Sequence, residues 1–395
     1  MQSEELTRRI GLACSWLTDV AMVGDEAEIG EVERQRHLHQ AWKGALRGEY
    51  RAATKSWSFF CPVWHTGQAV KALVMASQTL GDAALIGHAA AMARFIVANT
   101  IRKENGESLV LAYENFPDKV NTSAILECLD GLLMLSTRNG DHELQRMCLS
   151  AVSWVASNAY IAGEGIFKDL YSPDLGSFID SAYGTKGRPL LDDCIFLKAW
   201  RLTEDGTQLR IAVETADRLL LDERPAGNWI MYEPCNKEKG NIHPRHAYWW
   251  GRPMLDMFKE TGEKKYLAAF CRSVEWYRAA MRRDGGIFRG TYEDFSTDSF
   301  GHATSGTACA ISMFVDYLDE TGDKSIVPYI EKGLSFCSMM QMTAPEDPNL
   351  RGVVIEKVLP PDGTDKSPYH IRDLGTIFFV QAASKWLALE VKNKR

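Results

Sequence analysis

The sequence predicts an all-α protein, an (α/α)6 toroid built from six helical hairpins. Three observations carry this expectation. A short turn pattern recurs about every 60 residues, the helices flanking it alternate in character, and each end of the chain holds one helix without a partner.

The turns are Leu80-Gly81-Asp82, Asn139-Gly140-Asp141, Asp205-Gly206-Thr207, Thr261-Gly262-Glu263 and Thr321-Gly322-Asp323. Each follows an apolar helical stretch and opens another. A glycine just past a helix end is the expected left-handed cap, and an acid after it favours the next helix start. A period near 60 is two helices plus loops, one αα-hairpin.

The helices before the turns, over residues 63–80, 122–137, 191–203, 249–259 and 305–319, are the more apolar. A sixth of this type, 373–390, ends the chain. Those after the turns mix apolar and charged residues, as in 265–282. The first set reads as buried inner helices and the second as amphipathic outer ones. The amphipathic stretch 4–20 has no inner partner before it, and the sixth inner helix has none after it. Pairing the two closes a ring, whereas an open α-solenoid would leave both unpaired. Residues 1–395 therefore read as one toroid, although length alone suggests two or three domains.

The connections from outer to inner helices are long and carry short strand-like pieces. Gly165-Ile166-Phe167-Lys168, Gly227-Asn228-Trp229-Ile230, Gly286-Ile287-Phe288-Arg289 and Gly352-Val353-Val354-Ile355 are examples. In a toroid they share the end where the inner helices begin, and long ordered loops are usually functional. That end is the expected mouth of a pocket. The charged stretch 31–55 is either a lid over the mouth or the first of these connections, and Pro360-Pro361-Asp362-Gly363 marks a turn in the last.

Composition narrows the rest. The 395 residues are 45% hydrophobic and 25% charged, which excludes a largely disordered chain. The net charge is −7 and no basic block stands out, so no nucleic-acid partner is expected. No apolar run reaches roughly 18 residues, so no membrane partner is expected either. The nine cysteines form no C-x-x-C pair and read as reduced, buried thiols. The N-terminus begins with acids and does not read as a signal peptide. The expectation is a cytoplasmic protein without metal or cofactor, whose flat toroid side leaves a homodimer open. His37 and His39 alternate within Arg36-His37-Leu38-His39, which reads as a surface loop rather than a metal site.

The starts of the inner helices are rich in polar and aromatic groups. They are Trp64 and His65, Asn121 and Thr122, Asp192 and Asp193, Arg245 and His246 with Tyr248, Trp249, Trp250 and Arg252, His302 with Thr304 and Ser305, and His370 with Arg372 and Asp373. Asn121, Ser305 and Asp373 could each be only an N-cap. Caps do not explain Trp, His and Arg recurring beside them. Aromatic faces with hydrogen-bonding groups around them suit a sugar, and an arginine fork suits a carboxylate on that sugar. Trp249 and Trp250 are adjacent on a helix, so one of them is expected in the core. Asp192 and Asp193 either serve the helix dipole or supply a general acid, since desolvation raises a carboxyl pKa while the dipole opposes it.

Four segments resemble the unsaturated uronyl hydrolases of glycoside hydrolase families 88 and 105. Thr304-Ser305-Gly306-Thr307-Ala308 is similar to their T-S-G-T-A signature. Gly375-Thr376-Ile377-Phe378-Phe379 with Ala382-Ala383-Ser384 resembles their G-T-x-x-F…A-A-S segment. Asp193-Cys194-Ile195-Phe196-Leu197 is similar to D-T-L-F-M, and Trp250-Gly251-Arg252 to the start of W-x-R-G-N-G-W. The rest of that last motif is replaced by Pro253-Met254-Leu255, and no His-Asp pair opens the second inner helix. The resemblance implies a toroid that removes a 4,5-unsaturated uronic acid from an oligosaccharide's non-reducing end. An aspartate protonates C4, water adds at C5, and the hemiketal opens. It implies Asp193 as proton donor, with Asp192 tuning it or capping the helix. Arg252, Arg245 and His246 are then candidates for the uronate. Trp64, Trp249 and Trp250 are candidates for stacking, and Ser305 and Thr304 for the carboxylate. His65, Asn121, His302, His370 and Arg372 complete the expected substrate rim.

The same fold supports other chemistry. An inverting glycosidase would pair Asp193 with Glu114, Asp294 or Asp298. A lyase would oppose tyrosine and histidine, as His246 with Tyr248 or Tyr369 with His370 could. An epimerase would pair His246 with His302 or His370. A non-catalytic toroid would bind an oligosaccharide without turnover.

Overall fold

The computed structural model describes residues 3–31, 34, 38–114, 118–179, 186–236, 238–297, 301–358 and 369–393. Twelve α-helices of nine or more residues run through them. Helix α1 (Ser3–Ser15) continues as a π-turn, Trp16–Ala21. The next hairpins are α2 (Pro62–Leu80) with α3 (Ala84–Ala98), and α4 (Thr122–Asn139) with α5 (His142–Asn158). Then come α6 (Ile195–Thr203) with α7 (Gly206–Asp222), and α8 (Arg252–Thr261) with α9 (Lys264–Ala280). Helices α10 (Thr304–Thr321) and α11 (Val327–Met339) precede the terminal α12 (Asp373–Asn393).

The ring closes as the unpaired ends predict. Helix α12 packs between α10 and α2, and α1 lies against α12. The fold is an (α/α)6 toroid, not an open solenoid. Helix α12 is long and apolar enough to cross a membrane by length and composition, yet 72% of that window is buried inside the ring.

The repeating turns work as expected at four of five positions. Gly81, Gly140, Gly262 and Gly322 take φ of 68°, 73°, 72° and 69° as left-handed caps. The third turn differs. Glu204 (φ 58°) is its left-handed residue, and Gly206 is already the first residue of α7. Asp82, Asp141, Asp205 and Asp323 each accept a hydrogen bond from a backbone N–H of the following helix start, which satisfies a group left orphaned there.

Inner helices can approach closely where glycines face each other. A Cβ on Gly131 of α4 would lie 2.1 Å from the carbonyl oxygen of Gly67 on α2, and one on Gly67 would lie 2.4 Å from Cys128 Cα. This crossing fixes the spacing of α2 and α4 beneath the mouth.

Short antiparallel strands dress the mouth end. Strands β1 (Gly48–Arg51) and β2 (Ser56–Phe59) form a hairpin, so the stretch 31–55 includes structured connection. Strand β1 also pairs with a strand over Tyr369–Arg372, with Glu49 opposite Arg372. The turn around residues 360–363 lies outside the described residues.

The cysteines are free thiols, buried except for the half-buried Cys271. His39 corrects the surface-loop expectation. It is buried, with its ring 5.1 Å from Trp42 and 5.1 Å from Tyr113. His37 lies outside the described residues.

Candidate active site

A cavity of about 570 Å³ opens at the end where the inner helices begin. Of the residues expected at the mouth, it brings together Trp64, Asn121, Asp192, Arg245, Trp249, Trp250 and Arg372. It also takes in Phe60, Glu114, Ser123, Glu127, Arg188 and His243. Helix α10 contributes no lining side chain among the described residues, although its connection does so through Arg289.

Asp193, expected as the proton donor, is not in the lining. Its Oδ1 is 2.6 Å from Lys71 Nζ, and its Oδ2 accepts from Gln68 Nε2 at 3.0 Å. Lys71 also pairs with Asp130 at 2.8 Å, and Asp130 with Lys198. The backbone explains why the two carboxylates lie apart. Asp193 and Cys194 both take left-handed φ, 50° and 53°, inside a tight turn, Asp192–Cys194, ahead of α6. That turn sends one carboxylate into the ion-pair ladder and leaves the other, Asp192, on the cavity.

Asp192 is 3% exposed, and its Oδ2 has no hydrogen-bond partner among the described residues. Burial pushes its carboxyl up to about 7, against the pull of Arg188, and the negative charge of Asp193 adds to the rise. Glu127 is held well above the usual carboxylate range by burial and then by Asp192. Glu114 is raised by burial, with Arg188, His65 and Arg245 opposing. The wall thus carries three acids whose protons are held more tightly than in water.

The arginines differ in their engagement. Arg188 donates to Asp169 at 2.8 Å and to Ser123 at 3.3 Å. Arg372 donates to Glu49 at 2.6 Å and lies 3.7 Å over the Phe60 ring. Arg245 sits over Trp64 at 5.5 Å and Trp249 at 4.9 Å, and its Nε and Nη1 are buried without a hydrogen-bond partner. A guanidinium held over two indoles with donors unused is able to fork onto a carboxylate.

Trp249 is occupied on its ring faces by Arg245 and by His243, whose ring is nearly parallel to it at 5.9 Å. Both faces of this indole thus meet neighbouring side chains, while Trp249 still lines the cavity. Both tryptophans reach the cavity because Ala247–Gly251 is a π-turn. Trp250 does so from the core, 1% exposed and stacked on His246.

The other expected rim residues are absorbed by structure. Both ring nitrogens of His246 lie 3.0 Å from backbone carbonyl oxygens, of Trp229 and Glu233, and burial drops its pKa to about 3. Arg252 pairs with Asp256 and with Asp316 at 3.2 Å, away from the lining. His302 packs edge-on against Phe336, and burial lowers its pKa to about 4. Thr304 donates to the Ile355 carbonyl at 2.6 Å, and Ser305 donates Oγ–H to the buried Glu356 at 2.7 Å. His65 lies 2.6 Å from Asp373, both fully buried. Asn121 is both lining and cap, accepting from Ala124 N–H at 3.2 Å. Glu114 lines the cavity and Asp294 does not. The side chain of His370, and Asp298, lie outside the described residues.

Sequence reasoning missed Glu127, Arg188 and His243. Glu127 had a signal, a lone acid within Ile125-Leu126-Glu127-Cys128-Leu129 on an inner helix. His243 sits two residues before Arg245 in the same connection. The sequence neighbourhood of Arg188 carries no comparable signal.

No family model and no curated protein matches this chain. Solved structures do. An unsaturated glucuronyl hydrolase specific for heparin superposes with a TM-score of 0.70 at 12% identity, covering 99% of each chain. Cellobiose 2-epimerase from Bacillus thermoamylovorans gives 0.67 at 10% identity, over 96% of this chain and 99% of the epimerase. A D-mannose isomerase gives 0.67 at 11% identity, over 98% of each. The fold is one shared by sugar hydrolases, epimerases and isomerases.

Proposed function

We propose that this chain is a carbohydrate-active enzyme that removes a 4,5-unsaturated uronic acid from the non-reducing end of an oligosaccharide, with Asp192 as proton donor. The observation that carries this reading is a pairing within one cavity. A buried carboxyl with an unpartnered oxygen, Asp192, shares it with a guanidinium held between two indoles with unpartnered donors, Arg245. The hydrolase similarity in fold supports the reading.

The chemistry follows from the groups. Arg245 holds the uronate carboxylate. Asp192, neutral up to about pH 7, gives its proton to C4 of the enol ether. Water adds at C5 and returns a proton to the Asp192 carboxylate. The hemiketal then opens and the next sugar leaves. Glu127 and Glu114 supply neutral hydroxyls or acceptors for the sugar.

Loss of ultraviolet absorbance from lyase-generated pectin, glycosaminoglycan and ulvan fragments tests this. Turnover by the wild type that Asp192→Asn abolishes is expected. Full turnover by that variant would sink the assignment.

A second reading rests on His243, a cavity histidine kept neutral by burial and by the Arg245 charge. A neutral imidazole suits proton abstraction next to a carbonyl, as sugar epimerisation or isomerisation needs. Cellobiose and mannose incubated in deuterium oxide separate the two, since these saturated sugars offer no double bond to hydrate and take up solvent deuterium at C2 only by that route.

A further inference from the structure

Beneath the cavity lies a ladder of buried charges that the reaction itself does not use. Asp193, Lys71 and Asp130 are each nine-tenths or more buried, and Lys198 closes the far end. Lys71 Nζ bridges Asp193 Oδ1 at 2.6 Å and Asp130 Oδ2 at 2.8 Å. Gln68, one turn earlier on α2, ties the other Asp193 oxygen and also donates to the Glu127 carbonyl at 2.8 Å. Two of these contacts, from Lys71 and Gln68, converge on the residue next to Asp192, in a turn with two successive left-handed residues that are not glycine.

We infer that Lys71 is a positioning residue for Asp192: its ion pair with Asp193 holds the left-handed turn that keeps Asp192 on the cavity. A residue with a Cβ adopts left-handed backbone at a cost, and such conformations persist only where the surroundings over-determine them. Here Lys71 and Gln68 supply that determination. Without the ammonium, Asp193 is a buried carboxylate with no cation, the turn relaxes, and Asp192 leaves its place. The inference rests on the proposed role of Asp192, and it concerns geometry rather than proton transfer by Lys71.

The test is a set of variants on the intact chain. Lys71→Met removes the cation and keeps the stem. It is expected to lower kcat by about 100-fold, the scale of a misplacement near 1 Å, with KM within about twofold because Arg245 is untouched. Asp193→Gly in the Lys71→Met background removes the unpaired charge and makes φ near +50° free. It is expected to recover kcat at least about tenfold over Lys71→Met. Asp193→Ala in the same background removes the same charge but keeps a Cβ, and is expected to recover less than about twofold. Equal rescue by alanine and glycine overturns the proposal, because the charge alone would then account for the loss. Unchanged kcat in Lys71→Met also overturns it. If Lys71→Met does not fold, the comparison of the two double variants decides.

A readout without substrate keeps this separate from the reaction. The carbon-13 shift of the Asp192 carboxyl, assigned against Asp192→Asn, is expected to titrate higher in the glycine double variant than in the alanine one. If the wild type turns over no unsaturated oligosaccharide, the functional reading fails, and this titration still supports or overturns the positioning.

Discussion

Arg245 lies over the Trp249 ring at 4.9 Å, and no carboxylate pairs with it among the described residues. Arg245 is half-buried, and its Nε and Nη1 have no hydrogen-bond partner, so a ligand that brings an anionic group to them would gain from the pairing. Arg245→Met is therefore expected to cut kcat/KM by about 100-fold or more, at the level of a lost charge-assisted pair. Arg245→Lys should recover little, because an ammonium neither forks nor stacks as a guanidinium does. Steady-state kinetics on an unsaturated disaccharide measures both.

In the proposed reaction Asp192 acts in its protonated form, so activity should fall as pH rises past the point where it ionises. With its carboxyl pushed up to about 7, kcat/KM is expected to decline on the alkaline side from about that pH. A flat profile from pH 6 to 9 would contradict the role.

The same shift makes a stability prediction of definite sign. A carboxyl with a raised folded-state pKa binds its proton more tightly in the native protein. Stability is therefore lost as pH rises from the unfolded value near 4 through about 7. Asp192→Asn removes that dependence. Its melting temperature should exceed the wild type's by a margin that grows between pH 5 and pH 8.

Ser305 donates to Glu356 through both Oγ–H and its backbone N–H, at 2.7 and 3.1 Å. Ser305→Ala leaves a buried carboxylate oxygen short of a donor. A loss of about 1.5–3 kcal/mol is expected in urea denaturation.

Gly131→Ala drives a methyl to 2.1 Å from the Gly67 carbonyl. Helices α2 and α4 must then separate. A cost of about 3 kcal/mol is expected, at the upper end for overpacking. The separation also draws Lys71 away from Asp130, so kcat should fall with stability.

The ring was legible because its turns are local chemistry repeated. A glycine after an apolar helix and an acid after the glycine need no distant information, and even the third turn keeps its helix boundary when Glu204 takes over the left-handed position. The site was legible only by region. Thr304 and Ser305 look like ligand donors in sequence, but their partners, Ile355 and Glu356, come from the next connection. Which of Asp192 and Asp193 faces the cavity depends on Lys71, 122 positions from Asp193. The adjacency of two acids carries no trace of that lysine. His243 escaped because its role comes from lying parallel to Trp249, a relationship that the π-turn Ala247–Gly251 sets up and no spacing announces.

Five hairpins of the toroid are joined by their own turns, but the sixth is assembled from the two chain ends, α1 and α12. Ser3 Oγ donates to Glu390 at 3.0 Å across that seam, the first helix meeting the last. During synthesis the apolar flank of α2 waits through nearly the whole chain for α12 to cover it. Contacts so far apart in sequence close late and slowly. A circular permutant that links the present ends and opens the chain at Gly140 would turn this seam into a local hairpin and move the late closure to α4 and α5. It should reach the same ring with those two helices docking last.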